Sequence, residues 1–163
     1  MILNLCGEVN YPMLDTLVSA INNLRQGDHL LIYFSSPSGG LTHVAEAIID
    51  IINRHSEVIS LFFYGENFSS GMYILLRTKC HKTLLEDTTG MFHLASQSIN
   101  IIEGGNGGDS YDSFCIAEMK KAKTRSLEII KQFKFNAKEA ALIKRGKDAY
   151  FSCERLRELI DGK

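Results

Sequence analysis

Two serines lie between an apolar run and a helical segment, an arrangement that can make a serine reactive. The apolar run covers residues 58–64, Gly65 breaks it, and Ser69 and Ser70 follow. This pattern predicts a buried strand, a turn that carries the serines, and a helix from Gly71 onward. The first backbone N–H groups of a helix have no helical acceptor and can stabilise an oxyanion. The serines are therefore a candidate nucleophile site, although serine is also a preferred helix cap.

Two further features could take part in such chemistry. Residues 89–93 form a short apolar run ending in His93, and a histidine at a strand end can act as a general base or have only a structural role. Gly39 and Gly40 lie between a buried run at 29–34 and a helical pattern. A double glycine there lets backbone N–H groups approach a ligand, although a flexible turn is the alternative. No Gly-Lys-Ser/Thr follows, so this is not a Walker loop.

The elements that must position these residues alternate along the chain as strands and helices. The apolar spacing predicts an α/β protein with a buried parallel sheet. Strands are predicted at 2–5, 29–34, 58–64, 82–86, 89–93 and 147–151. Helices are predicted from Pro12 to near Gly27, at 41–53, after Gly71, at 111–133, at 137–145 with Asn136 as cap, and from a Ser152 cap to Ile160. The long helix has an apolar stripe of Ile116, Met119, Ile130 and Phe133, and a flexible glycine-rich loop at 103–109 precedes it.

Composition excludes several function classes. The chain has 163 residues and a net charge of −1, which favours a single domain over 1–163 and no nucleic-acid partner; the basic cluster at 120–125 is expected to be a solvated helix face. No Cys-x-x-Cys pair occurs among the four cysteines, so we expect no metal, no cofactor and a reducing compartment. No basic leader or long apolar run is present, so we expect a cytoplasmic protein without a membrane anchor.

Four segments together resemble the proteolytic subunit of the ATP-dependent Clp protease, the ClpP family. Residues 36–40, Ser-Pro-Ser-Gly-Gly, are similar to its Ser-Pro-Gly-Gly loop, and residues 65–71 are similar to its nucleophile segment. Residues 91–93, Met-Phe-His, resemble its histidine strand. Residues 148–152 and 159–161 resemble its C-terminal Asp-x-aromatic-apolar-Ser run and its ending. The matches occur in family order and cover nearly the whole chain.

The resemblance implies a fold and three catalytic roles. The fold is the ClpP/crotonase-like α/β fold of repeated ββα and βαβ units with a long protruding handle helix. Ser69 matches the nucleophile, His93 the general base, and Asp148 the residue that orients the histidine. A serine hydroxyl becomes a good nucleophile when an imidazole takes its proton, and a carboxylate fixes the imidazole tautomer and stabilises its charged form.

The resemblance also implies an oxyanion hole formed by backbone amides. Ser70 and Gly39 or Gly40 match the family's donors. Ser69 is preferred over Ser70 as the nucleophile because one residue separates it from Gly71, as in the family. The loop carries an extra residue, Ser38, which leaves open which amide of the loop serves.

The implied activity is a serine endopeptidase that cleaves peptides or unfolded proteins inside a homo-oligomeric chamber. Heptameric rings would stack face to face through the long helix. Two departures affect the expected partners. The segment after the family histidine is replaced by Leu-Ala-Ser-Gln at 94–97, and the chain begins almost at its first strand, without the extension that engages a AAA+ unfoldase. We therefore expect weak or absent coupling to an unfoldase.

Other functions stay open at the level of sequence. One is a catalytically inactive assembly or regulatory paralogue whose site residues are misaligned. Another is a crotonase-type acyl-CoA enzyme, which also uses glycine-loop amides but has no need of the serine, histidine and aspartate set. A capsid-maturation protease of phage type is a variant of the favoured class. The chain order Ser, His, Asp disfavours an α/β-hydrolase, whose order is Ser, Asp, His.

Overall fold

A mostly parallel sheet of six strands forms the centre of the protein. The structure, a computed structural model, describes residues 1–94 and 108–162, apart from the side chains of residues 108–115, 118 and 119. Its strands are β1 (Ile2–Cys6), β2 (Leu30–Ser36), β3 (Ile59–Phe68), β4 (His81–Leu84), β5 (Thr89–Phe92) and β6 (Ala149–Phe151). The strand order is β1-β2-β3-β5-β6, with β4 also beside β3. Among these described strands, the β5–β6 pair alone is antiparallel.

Six helices occur in the described part of the chain. They are α1 (Tyr11–Asn22), α2 (Thr42–Arg54), α3 (Ser70–Arg77), α4 (Gly108–Gln132), α5 (Ala137–Lys144) and α6 (Cys153–Asp161). The predicted caps are present, since the side chain of Asn136 accepts from the Glu139 amide and that of Ser152 accepts from the Arg155 amide. Together the sheet and helices make a mixed α/β protein, as the alternating pattern predicts.

Strand β3 is the central strand of the sheet. It pairs with β2 along one edge, and its other edge is shared by two strands in succession. Its first half pairs with β4, from Ser60 opposite His81, and its second half pairs with β5, from Glu66 opposite Thr89. Because these strands are parallel, the carboxyl ends of β3 and β5 lie side by side. Loops that leave these two ends are therefore neighbours.

The core lies between the sheet and its helices. Strands β2 and β3 bury Phe34 and Phe63, whose rings meet edge to face at 5.5 Å between centroids. Helix α3 is almost wholly buried and packs against β3. Each fully buried large apolar side chain stabilises the fold by about 1.5–3 kcal/mol. The turn between β3 and α3 is therefore anchored at both ends in the core.

The end of β3 differs from the predicted strand. Gly65 does not end the strand, which continues to Phe68. Gly65 has a left-handed φ of +54°, and the register with β2 shifts there, so that Ser36 faces Asn67. The Asn67 side-chain amide donates to the carbonyls of Tyr64 and Gly65 and bridges this bulge. Glycine permits the bulge, which lets pairing resume instead of stopping.

Two helices also depart from their predicted bounds. Helix α1 ends at Asn22, before the predicted stop near Gly27. Helix α4 begins at Gly108, so the end of the predicted glycine-rich loop is helical, while residues 103–107 lie outside the described residues. On α4, Ile129 is buried, but Ile116 of the predicted apolar stripe is 44% exposed, and the Met119 side chain lies outside the described part of the chain.

Candidate active site

Three predicted residues lie at neighbouring strand ends. Ser69 directly follows β3, His93 directly follows β5, and Asp148 directly precedes β6. In the antiparallel β5–β6 pair, Phe92 lies opposite Ala149, so the residues just beyond this pair, His93 and Asp148, also face each other. The sheet thus brings together residues that are far apart in the chain.

The three side chains form a continuous line of hydrogen bonds. Ser69 Oγ lies 2.9 Å from His93 Nε2, and His93 Nδ1 lies 3.1 Å from Asp148 Oδ1. Because a carboxylate only accepts, Nδ1 carries the proton and donates to Asp148, which leaves Nε2 as the acceptor for the Ser69 hydroxyl. This is the arrangement in which an imidazole can remove the proton of a serine.

The backbone at Ser69 is strained. Among the described residues Ser69 is the only non-glycine with a positive φ, at φ +49° and ψ −111°. Such a conformation costs about 1–3 kcal/mol and is found mainly at functional sites. Ser69 occupies the N-cap position of α3, but its side chain makes no capping bond within the described chain. Its amide donates to the Met91 carbonyl at 2.8 Å, which ties the turn to β5.

Ser70 has a different role in the geometry. It is buried at the start of α3, and its hydroxyl donates to the Gly40 carbonyl at 2.8 Å. This bond fastens α3 to the glycine loop. The hydroxyl that meets His93 therefore belongs to Ser69, and the Ser70 hydroxyl has a structural partner.

Both loop glycines are required by close backbone packing. Gly39 has φ +68°, and a Cβ there would lie 2.8 Å from the Ser69 Cβ and 3.0 Å from the Phe68 carbonyl. Gly40 has φ +142°, and a Cβ there would lie 2.3 Å from the Val9 carbonyl. Real Cβ atoms do not approach so closely. The loop backbone can therefore touch the Ser69 side chain only because Gly39 has no side chain.

The amides predicted for the oxyanion hole lie on this loop and on α3. The extra Ser38 is in an exposed turn with Pro37, so the insertion leaves Gly39 against Ser69. The Gly39 amide makes a long bond of 3.4 Å to the Ser36 carbonyl. Ser70 is the first residue of α3, so its amide has no helical acceptor. Among the described residues no acceptor is found for the Gly40 amide.

A polar cluster behind the site is not evident from the sequence. Tyr73, one turn after Ser69 on α3, donates its hydroxyl to Glu46 on α2. Arg77 donates to the Tyr73 hydroxyl at 2.7 Å, and its guanidinium lies 5.3 Å from the centre of the Tyr73 ring. Arg125 on α4 reaches the same Glu46 carboxylate at 3.6 Å. Burial and then the Glu46 hydrogen bond raise the pKa of Tyr73, so its hydroxyl stays protonated. The only sequence signal is the spacing of Ser69, Tyr73 and Arg77 on one helix face.

Two of the cysteines in the described residues are buried. Burial raises the pKa of Cys80 to about 11, so it is a thiol at neutral pH and a poor nucleophile. The Cys153 thiol is buried and donates to the Leu85 carbonyl. No cluster of His, Cys, Asp or Glu in residues 1–94 and 108–162 could hold a metal ion. No helix in these ranges is long and apolar enough to cross a membrane.

The chain has no match among known protein families or curated proteins. The roles of Ser69, His93 and Asp148 therefore depend on their residue types and on the distances between their atoms.

Proposed function

We propose that the protein is a ClpP-like serine endopeptidase that hydrolyses peptide bonds through Ser69, His93 and Asp148. The observation that carries the proposal is the line of hydrogen bonds from the Ser69 hydroxyl through His93 to Asp148. A strained serine at a strand-to-helix turn, packed against a glycine loop, supports it further. Each feature is expected of an activated serine, and their coincidence at one sheet edge is what favours acyl transfer.

The reaction would proceed in two halves. Ser69 Oγ attacks the peptide carbonyl carbon while His93 Nε2 takes the hydroxyl proton, and Asp148 stabilises the resulting imidazolium through Nδ1–H. The carbonyl oxygen becomes an oxyanion, which the amides of Gly39 or Gly40 and Ser70 would hold. His93 then donates its proton to the leaving amine and the acyl-enzyme forms. A water molecule, deprotonated by His93, hydrolyses this ester and restores Ser69.

The proposal includes the ClpP/crotonase-like fold and an oligomeric chamber. The parallel sheet, the turn from β3 into α3 and the 25-residue α4 are compatible with it. Ile116 on α4 is exposed in the single chain, as expected if this helix meets another subunit. Sedimentation of the concentrated protein tests this, and a species that stays monomeric would contradict the heptameric, stacked chamber.

A competing function is an inactive assembly or regulatory paralogue. That alternative needs misaligned site residues, whereas both contacts in the site are at hydrogen-bond distance. The geometry therefore supports turnover more than it supports binding alone. A crotonase-type enzyme would bind coenzyme A, so a titration with coenzyme A that shows binding would favour that class instead.

Hydrolysis assays test the proposal directly. Wild type should cleave fluorogenic peptides from a mixed library, and Ser69→Ala should reduce the rate to background. Ser19→Ala is the matched control because Ser19 is exposed on α1, and it should retain the wild-type rate. Cleavage that survives Ser69→Ala would contradict the proposal.

A further inference from the structure

A narrow cleft opens beside the Ser69 hydroxyl. Among the described residues, its walls are Thr42, Ser70, Tyr73, Phe92 and Ser126, besides Ser69 and His93. Its free volume is about 20 Å³. Since about 10–15 Å³ of such volume holds one water molecule, the cleft has room for one or two non-hydrogen atoms.

The walls of this cleft are held in place. Tyr73 is buried and is anchored by the Glu46 carboxylate and the Arg77 guanidinium. Phe92 is buried and stacks on Phe135, with 6.1 Å between ring centroids. Widening the cleft would break the charged hydrogen bonds of Tyr73 or disturb the aromatic packing. Losing buried hydrogen bonds and losing close packing both cost free energy in a protein interior.

The position of the cleft defines what would enter it. When a peptide carbonyl carbon is bonded to Ser69 Oγ, the preceding Cα is bonded to that carbon and lies two bonds from Oγ. The side chain on this Cα, the P1 residue, must occupy space next to Ser69 and His93. The cleft is bounded by both residues and so provides that space.

We propose that this cleft is the S1 subsite, the pocket that binds the P1 side chain, and that it selects glycine, alanine or serine at P1. Tyr73 is the residue that limits the size of the cleft. This inference rests on the proposed peptidase function. A leucine side chain has four non-hydrogen atoms, which exceeds the available room, whereas the methyl group of alanine fits. Thr42 and Ser126 also line the cleft, and a serine side chain exceeds that of alanine by one non-hydrogen atom.

Phosphonate inhibitors of matched sequence test the selection. Peptidyl diphenyl phosphonates that differ only at P1 are incubated with the protein, and the rate of Ser69 modification is followed by intact mass spectrometry. Alanine at P1 should react about 100-fold faster than leucine, since one extra methylene group in a fitted pocket already changes a rate by about 10–200-fold. In wild type, the rates for glycine, alanine, aminobutyrate and norvaline should fall steeply once the side chain exceeds two non-hydrogen atoms.

Two variants identify the limiting residue. Tyr73→Ala should raise the leucine rate until it equals or exceeds the alanine rate. Tyr73→Phe keeps the ring and should keep the preference for alanine, which separates ring size from hydrogen bonding. A Tyr73→Ala protein that retains the wild-type preference would overturn the assignment of Tyr73. If that variant does not fold, the wild-type P1 series still decides the subsite.

A small alkyl fluorophosphonate separates the two levels of the proposal. If it modifies Ser69 and the P1 series shows equal rates, the small-residue subsite is wrong and the peptidase proposal stands. If it modifies Ser69 and neither the alanine nor the leucine phosphonate reacts, the cleft is not an S1 subsite. If no reagent modifies Ser69 in folded, assembled protein, the peptidase proposal itself fails, and the subsite with it.

Discussion

The two ends of the hydrogen-bonded line differ in how the protein holds them. Ser69 lies between a long buried strand and a buried helix, in a strained conformation, with Gly39 packed against its side chain. Asp148 precedes a strand of only three residues, and its side chain is 44% exposed. The position of Ser69 Oγ, which would form the covalent bond, is thus fixed by the core. The Asp148 carboxylate, which would orient His93, is held by a short edge strand. Substitutions on the serine side should therefore cost more activity than those on the aspartate side.

The largest loss is expected from His93→Ala. Among the described residues, His93 is the one that contacts both Ser69 Oγ and Asp148, so peptide hydrolysis should fall by about a millionfold. Fluorogenic peptide turnover measures the loss. His55→Ala, at an exposed position after α2, is the control and should leave turnover unchanged. A His93→Ala protein within tenfold, as a rough limit, of wild type would show that the imidazole is not the base.

Gly39→Ala tests how tightly the serine side is packed. The new Cβ would meet the Ser69 Cβ at 2.8 Å, so the nucleophile or the loop amides must move, and activity should fall by about 1,000-fold. Gly146→Ala is a matched control, because Gly146 has φ +71° but no atom would lie within 4 Å of its new methyl group. Backbone strain should cost both variants about 1–2 kcal/mol of stability, and the clash adds to this loss in Gly39→Ala. Only Gly39→Ala should lose activity, and equal activity in the two would contradict the close packing.

Asp148→Asn tests the aspartate side. Asparagine retains an oxygen that can accept from His93 Nδ1 but loses the charge that stabilises the imidazolium. Because the Asp148 side chain is 44% exposed, water shares this role, and the loss in kcat should be about 100-fold. Asp15→Asn, at an exposed position on α1, should have no effect. A loss as large as that of His93→Ala would show that the two ends are equally constrained.

The smallest expected effect is on stability, at the helices α5 and α6 that precede and follow β6 in the chain. Arg155 on α6 binds Glu139 on α5 through two bonds of 2.8 Å and also the Lys134 carbonyl at 2.7 Å. Arg155→Ala should lower the free energy of unfolding by about 2 kcal/mol, because Glu139 is mostly buried. Arg54→Ala breaks an exposed pair with Asp50 and should cost at most about 0.5 kcal/mol. Urea unfolding measures the free energy of unfolding of both variants. Equal losses would contradict the larger contribution expected from Arg155.

The same pair predicts a pH dependence. Burial alone would raise the pKa of Glu139, but hydrogen bonds from Arg155 and the Asn136 amide outweigh it and leave the pKa below its ordinary value. A lowered folded-state pKa stabilises the protein above the unfolded-state value, and this stabilisation is lost as pH falls through the folded-state value. As the pH falls through the acid range in which Glu139 takes up its proton, wild type should therefore lose stability more steeply than Arg155→Ala does. Parallel curves for the two proteins would contradict the linkage.

The sequence predicts the α/β class and most element positions because apolar spacing reports burial directly. It fails at Gly65, where a glycine in an apolar run suggests a break but forms a bulge with φ +54° inside β3. Ser69 and His93 are visible as polar residues at strand ends. The place of Asp148 depends on β6 pairing with β5, a long-range contact that local patterns do not contain, and only the family resemblance suggests it.

The cluster around Tyr73 could not be predicted for a similar reason. Its members come from three helices, and the bond between Tyr73 and Glu46 forms only when α2 and α3 are packed. The spacing of Tyr73 and Arg77 on α3 is all that the sequence offers. The size of the cleft beside Ser69 depends on this packing and therefore on the tertiary structure.

The central claim is that Ser69 is the activated nucleophile, and covalent labelling tests it most directly. Wild type, Ser69→Ala and Ser70→Ala are treated with a fluorophosphonate and studied by intact and peptide-level mass spectrometry. One adduct on Ser69, absent only in Ser69→Ala, is the predicted result, because Ser69 contacts His93 while the Ser70 hydroxyl is bound to Gly40. An adduct on Ser70, or no adduct in folded and oligomeric protein, would contradict the account.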